Sequence, residues 1–126
     1  MNFNDFIAIV KSVILKNYCN FEGRANRPEY WWFFLFNFIV SIIFSILTKY
    51  GIFFTVLSCV YSLALLLPGL GVCVRRLHDI NKSGWAIFIS LIPIIGVIIL
   101  IVWLAKEGDP TENQYGPVPE TPKAEE

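Results

Sequence analysis

Three long runs without a formal charge constrain the fold of this chain more than any other feature. They cover residues 31–48, 52–74 and 85–104, which is 18, 23 and 20 residues. At ~1.5 Å per helical residue, even the shortest run is ~27 Å long as a helix, close to the hydrocarbon thickness of a bilayer. Each run is therefore predicted to be one transmembrane helix.

The composition also indicates a membrane protein. The 126 residues are 56% hydrophobic and 16% aromatic, with a mean hydropathy of +0.59, well above the range of soluble globular chains. The net charge is zero but unevenly divided: residues 1–105 carry eight Lys/Arg against four Asp/Glu, whereas residues 106–126 carry two against six. This division predicts one membrane domain over residues 1–105 and an exposed, acidic, proline-rich, irregular tail over residues 106–126.

The segment before the first run has the pattern of an amphipathic helix. Over residues 3–18, Phe6, Val10 and Ile14 share one helical face, while Asp5 and Lys16 lie on another. The segment is too short to span a bilayer. It is expected either to lie in the interface plane or to pack against the cytoplasmic ends of the spans. The predicted fold is an all-α membrane protein with three transmembrane helices preceded by a short interfacial helix.

Local signals indicate where the helices begin and bend. Pro28 suits a first helical turn, and Ser83 is predicted to cap the third helix. Pro68, Gly69 and Gly71 are expected to bend the last third of the second span, and Pro93 with Gly96 the third span, since proline removes a helical hydrogen bond and glycine weakens the helix.

The distribution of Lys and Arg predicts the orientation. Basic residues concentrate before the first run and between the second and third, whereas the opposite side is expected to have only Lys49, Lys106 and the distant Lys123. By the positive-inside rule, the basic side and the N-terminus are cytoplasmic. With three spans, the acidic tail would lie outside.

Small and polar side chains recur on one face of each of the first two spans. Residues of this type let membrane helices approach closely and form hydrogen bonds between helices. We expect them to face other helices rather than lipid; they are Asn37, Ser41, Ser45 and Thr48 in the first span, and Gly51, Thr55, Ser58 and Ser62 in the second.

The charged residues on the cytoplasmic side form a predicted basic rim. Arginine orients a span no better than lysine does, but its planar fork grips phosphate or carboxylate through two hydrogen bonds. The rim is therefore predicted to hold an anionic headgroup or an acidic segment of a partner through Arg24, Arg27, Arg75, Arg76, His78 and Lys82. Tyr30, Trp31 and Trp85 would form its aromatic belt at headgroup depth.

Part of the rim charge is expected to be neutralised internally. Glu29 can pair with an arginine across the rim. Asp79 stands at i+4 from Arg75 and i+3 from Arg76, a spacing that suits a helical pair only if the second span continues through the loop.

The sequence offers little support for catalysis. His78, Asp79 and Ser83 contain the residue types of a hydrolytic triad, but no strand-turn-helix nucleophile elbow surrounds Ser83. His78 is the only histidine and lacks ligands at metal spacing, and Cys19, Cys59 and Cys73 form no CxxC pair, so they are interpreted as structural. No catalytic residue, metal, cofactor or nucleic-acid partner is therefore predicted.

Three stretches together resemble a known bacterial family, domain of unknown function 805. They are FEGRANRPEYWWF at residues 21–33, RRLHDINKSGWAIFISLIPIIG at residues 75–96 and EGDPTENQYGP at residues 107–117. The family shares a GRxxRxEYW element before its first span, an RRLHDxxKSGW loop and an NxYG element in the tail. The resemblance implies a small multi-pass protein of the bacterial inner membrane and implies no reaction.

Two hypotheses of function follow. The first is a non-enzymatic membrane module whose rim binds anionic lipid or a partner, with self-association or another membrane protein as further partners. The second is an enzyme or transporter component that acts on a phosphorylated or lipid-linked substrate at the same rim. A rim carboxylate not occupied by arginine would favour the second; the candidates are Glu22, Glu29 and Asp79.

Overall fold

A computed structural model describes residues 2–123 and shows an all-helical architecture. The helices are α1 (Phe3–Lys11), which continues as a π-helical turn (Ser12–Lys16), α2 (Arg27–Leu47), which continues as a 3₁₀ turn (Thr48–Tyr50), α3 (Ile52–Ala64), α4 (Leu66–Asp79), a 3₁₀ helix (Gly84–Leu91) and α5 (Ile95–Ala105).

Two antiparallel rods form the frame of the molecule. The first, Arg27–Tyr50, has 24 residues, and the second, Ile52–Asp79, has 28, so that each exceeds the ~30 Å of a hydrocarbon core at ~1.5 Å per residue. The side-chain oxygen of Asn26 accepts a hydrogen bond from the Glu29 backbone N–H at 3.0 Å and caps α2, whose first turn contains Pro28. Gly51, at φ 143°, makes the return between the rods. The first two predicted spans are confirmed as helices long and apolar enough to cross a membrane.

Exposure separates these rods from the core helices of a soluble protein. Only 6% of the most apolar window of the first rod and 22% of that of the second are buried. Large apolar side chains such as Phe38, Ile42, Val56 and Leu63 are exposed along both rods. A continuous apolar surface of this extent is suited to lipid, not to water.

The second rod is interrupted near the proline that removes a helical hydrogen bond. Leu65 separates α3 from α4, and Pro68 lies in the first turn of α4. Pro68 has no N–H to donate to the carbonyl of Ala64, four residues earlier. The Tyr18 hydroxyl donates to the Ala64 oxygen instead, at 2.6 Å. The helix is interrupted close to the predicted bend, and the N-terminal segment satisfies the carbonyl that proline leaves free.

The third apolar run does not form the single predicted span. It folds as a hairpin in which the 3₁₀ helix enters and α5 returns, joined by a turn in which Ile94 has φ 64°. A Cβ at Gly96 would lie 1.8 Å from the Ile89 oxygen, so only glycine permits this close approach. Eight 3₁₀ residues at ~2.0 Å and eleven α-helical residues at ~1.5 Å each reach ~16 Å, about half of a hydrocarbon core. A third span is not confirmed, because Pro93 and Gly96 reverse the chain rather than kink it.

Both ends of this hairpin lie beside the same ends of α2 and α4. The Leu104 carbonyl accepts hydrogen bonds from Arg76 Nε at 3.0 Å and Trp31 Nε1 at 3.1 Å. The Asp109 N–H donates to the Asp79 carbonyl at 2.8 Å. The prediction that the tail emerges opposite the basic rim is therefore wrong: the tail packs on the rim.

The N-terminal segment packs on the helices, the second of the two predicted alternatives. Phe6 contacts the rings of Trp32 and Phe36 on α2, with ring centroids 5.8 and 6.4 Å apart. The fully buried Val13 and Val72 belong to one apolar cluster. The segment is an α-helix followed by a π-helical turn, not one helix over residues 3–18.

The polar face within the spans is used in part for helix packing. The Tyr61 hydroxyl donates to Asn37 Oδ1 at 2.9 Å and joins α3 to α2, as predicted for Asn37. Ser41 and Ser62 are exposed and line an open groove of about 280 Å³ between the rods. The prediction that they face another helix is not met within one copy of the chain.

Candidate functional site

Six charged or ionisable side chains are buried together where α2 begins and α4 ends. We call them the polar cluster: Arg24, Glu29, Arg75, Arg76, His78 and Asp79. None is more than 7% exposed. The C-terminal turn of α4 and the first turn of α2 supply all of them except Arg24, which lies in the preceding segment.

Asp79 lies at the centre of the cluster and pairs with two arginines. Its Oδ1 accepts from Arg24 Nε at 2.9 Å, and its Oδ2 accepts from Arg76 Nη1 at 2.9 Å. The side chain of Asp79 is 5% exposed, and those of the arginines are 1% and 0% exposed. The Arg76 pair is the predicted i,i+3 contact, and it forms because α4 continues to Asp79.

Arg24 binds backbone carbonyls of the C-terminal tail. Its Nη1 donates to the carbonyls of Thr111 at 2.9 Å and Gly116 at 3.0 Å, and its Nη2 donates to that of Asp109 at 2.7 Å. A planar guanidinium with five N–H donors suits this set of acceptors. The fork predicted to grip an external anion here binds the chain itself.

Arg76 binds backbone carbonyls at the end of the hairpin in the same way. Besides Asp79 it donates to the carbonyls of Leu104 and Lys106, and more distantly to that of Ala25 at 3.5 Å. The point where α5 ends is thereby tied to α4. The last carbonyls of α5 lack intrahelical partners and accept hydrogen bonds from a cation that also complements the negative end of the helix dipole.

Arg75 differs from the other two buried arginines. Its Nη1 donates to Glu29 Oε2 at 2.7 Å, which confirms the predicted pairing of Glu29 across the rim. Its Nε and Nη2 are buried and have no hydrogen-bond partner among the described residues, although Arg75 is only 3% exposed. Buried donors without a partner are uncommon in folded proteins.

His78 and the tail element NQYG form a second attachment of the tail. The rings of His78 and Tyr115 are stacked in parallel with centroids 3.9 Å apart. His78 Nδ1 donates to the Gly23 carbonyl at 2.9 Å, and Asn113 Nδ2 donates to the His78 carbonyl at 3.0 Å. Asn113 and Gly116 close a tight turn through reciprocal backbone hydrogen bonds, with Gly116 at φ 127°.

The close fit of the tail is also visible at a glycine. A Cβ at Gly108 would lie 1.9 Å from Asp79 Oδ2. The tail backbone therefore lies directly against the central carboxylate. Sequence reasoning missed this contact, and the turn-forming residues of NQYG were the only signal for it.

The other predicted rim residues surround the cluster. Arg27 is exposed and donates to the Ala105 carbonyl at 3.4 Å, and Lys82 Nζ lies 4.6 Å from the ring centroid of Trp103. The half-buried rings of Tyr30 and Trp31 meet edge to face at 5.0 Å. Trp85 is 77% exposed at the start of the 3₁₀ helix, where the Ser83 hydroxyl accepts from its N–H at 3.2 Å and forms the predicted cap.

The cluster lacks the arrangement of a hydrolytic triad. The His78 ring stacks on Tyr115, and the Ser83 hydroxyl caps a helix. Within residues 2–123, no group of three or more His, Cys, Asp or Glu side chains is placed to hold a metal ion. Both cluster carboxylates, Glu29 and Asp79, are engaged by arginines.

These features define a small helical membrane protein with two long apolar helices. A buried ionic cluster lies at one end of these helices, and the chain's own C-terminal tail is bound to it. The family of proteins of unknown function DUF805 matches residues 18–117. The chain belongs to this family, as the three motifs indicated.

Two relatives from Escherichia coli (strain K12) extend the similarity over most of the chain. Inner membrane protein YhaH is 41% identical over 115 residues, which cover 84% of this chain and 92% of the relative. Inner membrane protein YhaI is 44% identical over 105 residues, covering 82% and 88%. Both names agree with the predicted location in the bacterial inner membrane. No solved structure matches the chain at a significant level.

Proposed function

We propose that this protein is a non-catalytic module of the bacterial inner membrane that binds anionic lipid headgroups at its cytoplasmic face. The observation that carries the proposal is the unequal use of the basic side chains at that face. Arg24 and Arg76 are bound to Asp79 and to backbone carbonyls of the chain, whereas Lys11, Lys16 and Lys106 are exposed and free to meet headgroups.

The position of these lysines favours lipid as the ligand. They lie beside the ends of the two rods, where the headgroup layer of a bilayer begins. Each cation near an anionic leaflet contributes ~1 kcal/mol of attraction. The exposed ring of Trp85 suits the same depth.

The enzymatic alternative has less support. A general base or metal ligand at this face would need a free carboxylate, and Glu29 and Asp79 are both paired with arginine. The other carboxylates at this face, Glu22 and those of the docked tail such as Glu120, are exposed. A substrate-bound state that used a buried carboxylate would have to break one of the pairs with arginine.

Lipid retention tests the proposal. Protein extracted gently from bacterial membranes is analysed by native mass spectrometry, and the ratio of anionic to zwitterionic lipid is compared with that of the membrane. We expect enrichment of anionic lipid in the wild type, and its loss when Lys11, Lys16 and Lys106 are all changed to Gln. Lys49→Gln, at the opposite end of the rods, is the matched control and should keep the enrichment. A wild-type lipid ratio equal to that of the membrane would refute the proposal.

The proposed orientation places both termini in the cytoplasm. All Lys and Arg of residues 2–123 lie on the cluster side or in the tail docked there, except Lys49. The positive-inside rule assigns that side to the cytoplasm, and acidic residues such as those of the tail contribute little to it.

Cysteine labelling in a cysteine-free background tests this orientation. An impermeant reagent added outside intact spheroplasts is expected to modify Lys49→Cys and to leave Glu22→Cys and Gln114→Cys unmodified. All three positions are exposed in the folded chain. Labelling of Gln114→Cys together with Lys49→Cys would restore the three-span topology and contradict the docked tail.

A further inference from the structure

We propose that a cavity beneath the C-terminal tail binds a phosphate group through Arg75. The membrane as the source of the phosphate rests on the proposed function, whereas the cavity is argued from its own lining residues. The cavity has a volume of about 330 Å³, at the lower end of the ~300–1,000 Å³ of small-ligand pockets. Its polar walls include Ser12, Asn17, Asn20, Glu22, Arg75 and Glu120.

The free edge of Arg75 specifies the kind of ligand. Glu29 takes a hydrogen bond from Nη1, while Nε and Nη2, the parallel donors of the other edge, have no partner in residues 2–123. This edge suits an acceptor with two oxygens at carboxylate or phosphate spacing. A buried guanidinium edge left empty is costly, so an occupant with such oxygens would be bound favourably.

Another residue of the cavity lining, Ser12, supplies a neutral donor. Asn20 Nδ2 donates to Asn17 Oδ1 at 2.8 Å, and Asn17 Nδ2 donates to Ser12 Oγ at 3.2 Å. These hydrogen bonds end at the Ser12 hydroxyl, which accepts and keeps its own hydrogen to donate. A tetrahedral phosphate presents oxygens in several directions and can meet both Arg75 and Ser12, whereas a planar carboxylate presents two oxygens in one plane.

The tail lines part of the cavity and weakens the attraction of an anion. Asn26 Nδ2 donates to Thr121 Oγ1 at 2.7 Å, and the neighbouring Glu120 is part of the cavity lining. Glu120 is exposed and carries the same sign of charge as the proposed ligand. Removing its charge should therefore strengthen phosphate binding, which provides a test that leaves Arg75 untouched.

Calorimetric titration of the full-length protein in neutral detergent tests the inference with two probes. One is inorganic phosphate; the other is dihexanoylphosphatidylglycerol, a soluble lipid with one phosphodiester charge. Arg75→Lys keeps the positive charge but removes the two-donor edge. It should weaken binding of either probe by about tenfold, the order expected for loss of a charge-assisted hydrogen bond. Glu120→Gln should strengthen binding by about two- to threefold at low ionic strength, the effect of one like charge close by in water.

The results separate the two proposals. Tighter binding of the lipid than of inorganic phosphate, with the expected effects of both variants, supports a headgroup site. Binding of inorganic phosphate alone, with the same effects, supports the cavity and assigns a soluble phosphate instead. Wild-type affinity in folded Arg75→Lys, or binding unchanged or weakened in Glu120→Gln, would overturn the cavity site while leaving lipid enrichment by the lysines standing. Absence of binding to either probe by the wild type would also overturn it.

Discussion

Replacing Asp79 with Asn should destabilise the protein more than any other isosteric change of a single carboxylate at this face. The substitution keeps the size of the side chain and removes its charge. It leaves Arg24 and Arg76 buried without their shared anion, and it turns an amide N–H₂ toward one of two guanidinium groups that can only donate. The loss therefore includes both ion pairs and a new donor–donor contact.

The magnitude follows from the burial of the partners. The two arginine side chains are 1% and 0% exposed, so solvent cannot replace the lost carboxylate. Breaking a buried ion pair by removing one partner costs about 3–5 kcal/mol. For a chain of 126 residues this corresponds to a fall in Tm on the order of 10 °C or more. The tail carbonyls bound to Arg24 keep part of its hydrogen bonding, which places the expected value toward the lower end.

Thermal unfolding in detergent, followed by circular dichroism, measures this loss. Asp109→Asn is the matched control: Asp109 is only half-buried and its Oδ2 accepts from Asn113 Nδ2 at 2.9 Å, a bond that an amide oxygen can still accept. The control should change Tm by a few degrees at most. If the free energy of unfolding of Asp79→Asn lies within about 1 kcal/mol of that of the control, the cluster is hydrated or its arginines find other acceptors. The argument from burial then fails.

Two further predictions concern the apolar helices. Gly96→Ala should destabilise the hairpin, since its Cβ would lie 1.8 Å from a backbone oxygen. Gly69→Ala, in α4 with nothing within 4 Å of its Cβ, should be neutral or stabilising in the same unfolding assay; equal effects would contradict the close approach at Gly96. Tyr61→Phe should cost ~0.6–2 kcal/mol by removing the hydrogen bond to Asn37 between two membrane helices. Tyr50→Phe, at an exposed ring, should cost nothing measurable, and a Tyr61→Phe variant as stable as this control would remove the packing role of Asn37.

Features that depend on a few neighbouring residues were predicted correctly. Pro28 indicates the start of α2 and lies in its first turn, and Ser83 indicates the start of the 3₁₀ helix and caps it. The pairing of Asp79 with Arg76 follows from a spacing of three residues once the helix continues to that point. These features are local, and the chemistry of one or two residues decides them.

The third apolar run shows where sequence reasoning reached its limit. Its 20 uncharged residues satisfy the length and hydropathy of a span. Pro93 and Gly96 were recognised as a bend, but the angle depends on how closely two segments approach, as Gly96 does to Ile89. Composition cannot distinguish a kink from a reversal, because both remove the same helical hydrogen bonds. The predicted position of the tail is wrong for the same reason, because a chain with one span fewer brings the tail back to the side of the rim.

The preference for arginine over lysine at the rim now has a structural cause that the sequence could not reveal. Arg24 reaches Asp79 and the carbonyls of three tail residues, which lysine, with three donors on one nitrogen, cannot do in this planar arrangement. Backbone carbonyls belong to every residue and leave no mark in a sequence, so the sequence alone predicts an external anion as the ligand of the fork. Arg76 is consumed in the same way. Arg75 alone among the buried arginines of the described chain keeps two donors without a partner, and Arg75 lines a cavity. The arginines of the rim therefore divide by role: Arg24 and Arg76 close the tail onto the membrane domain, and the proposal of anion recognition within the cluster narrows to Arg75.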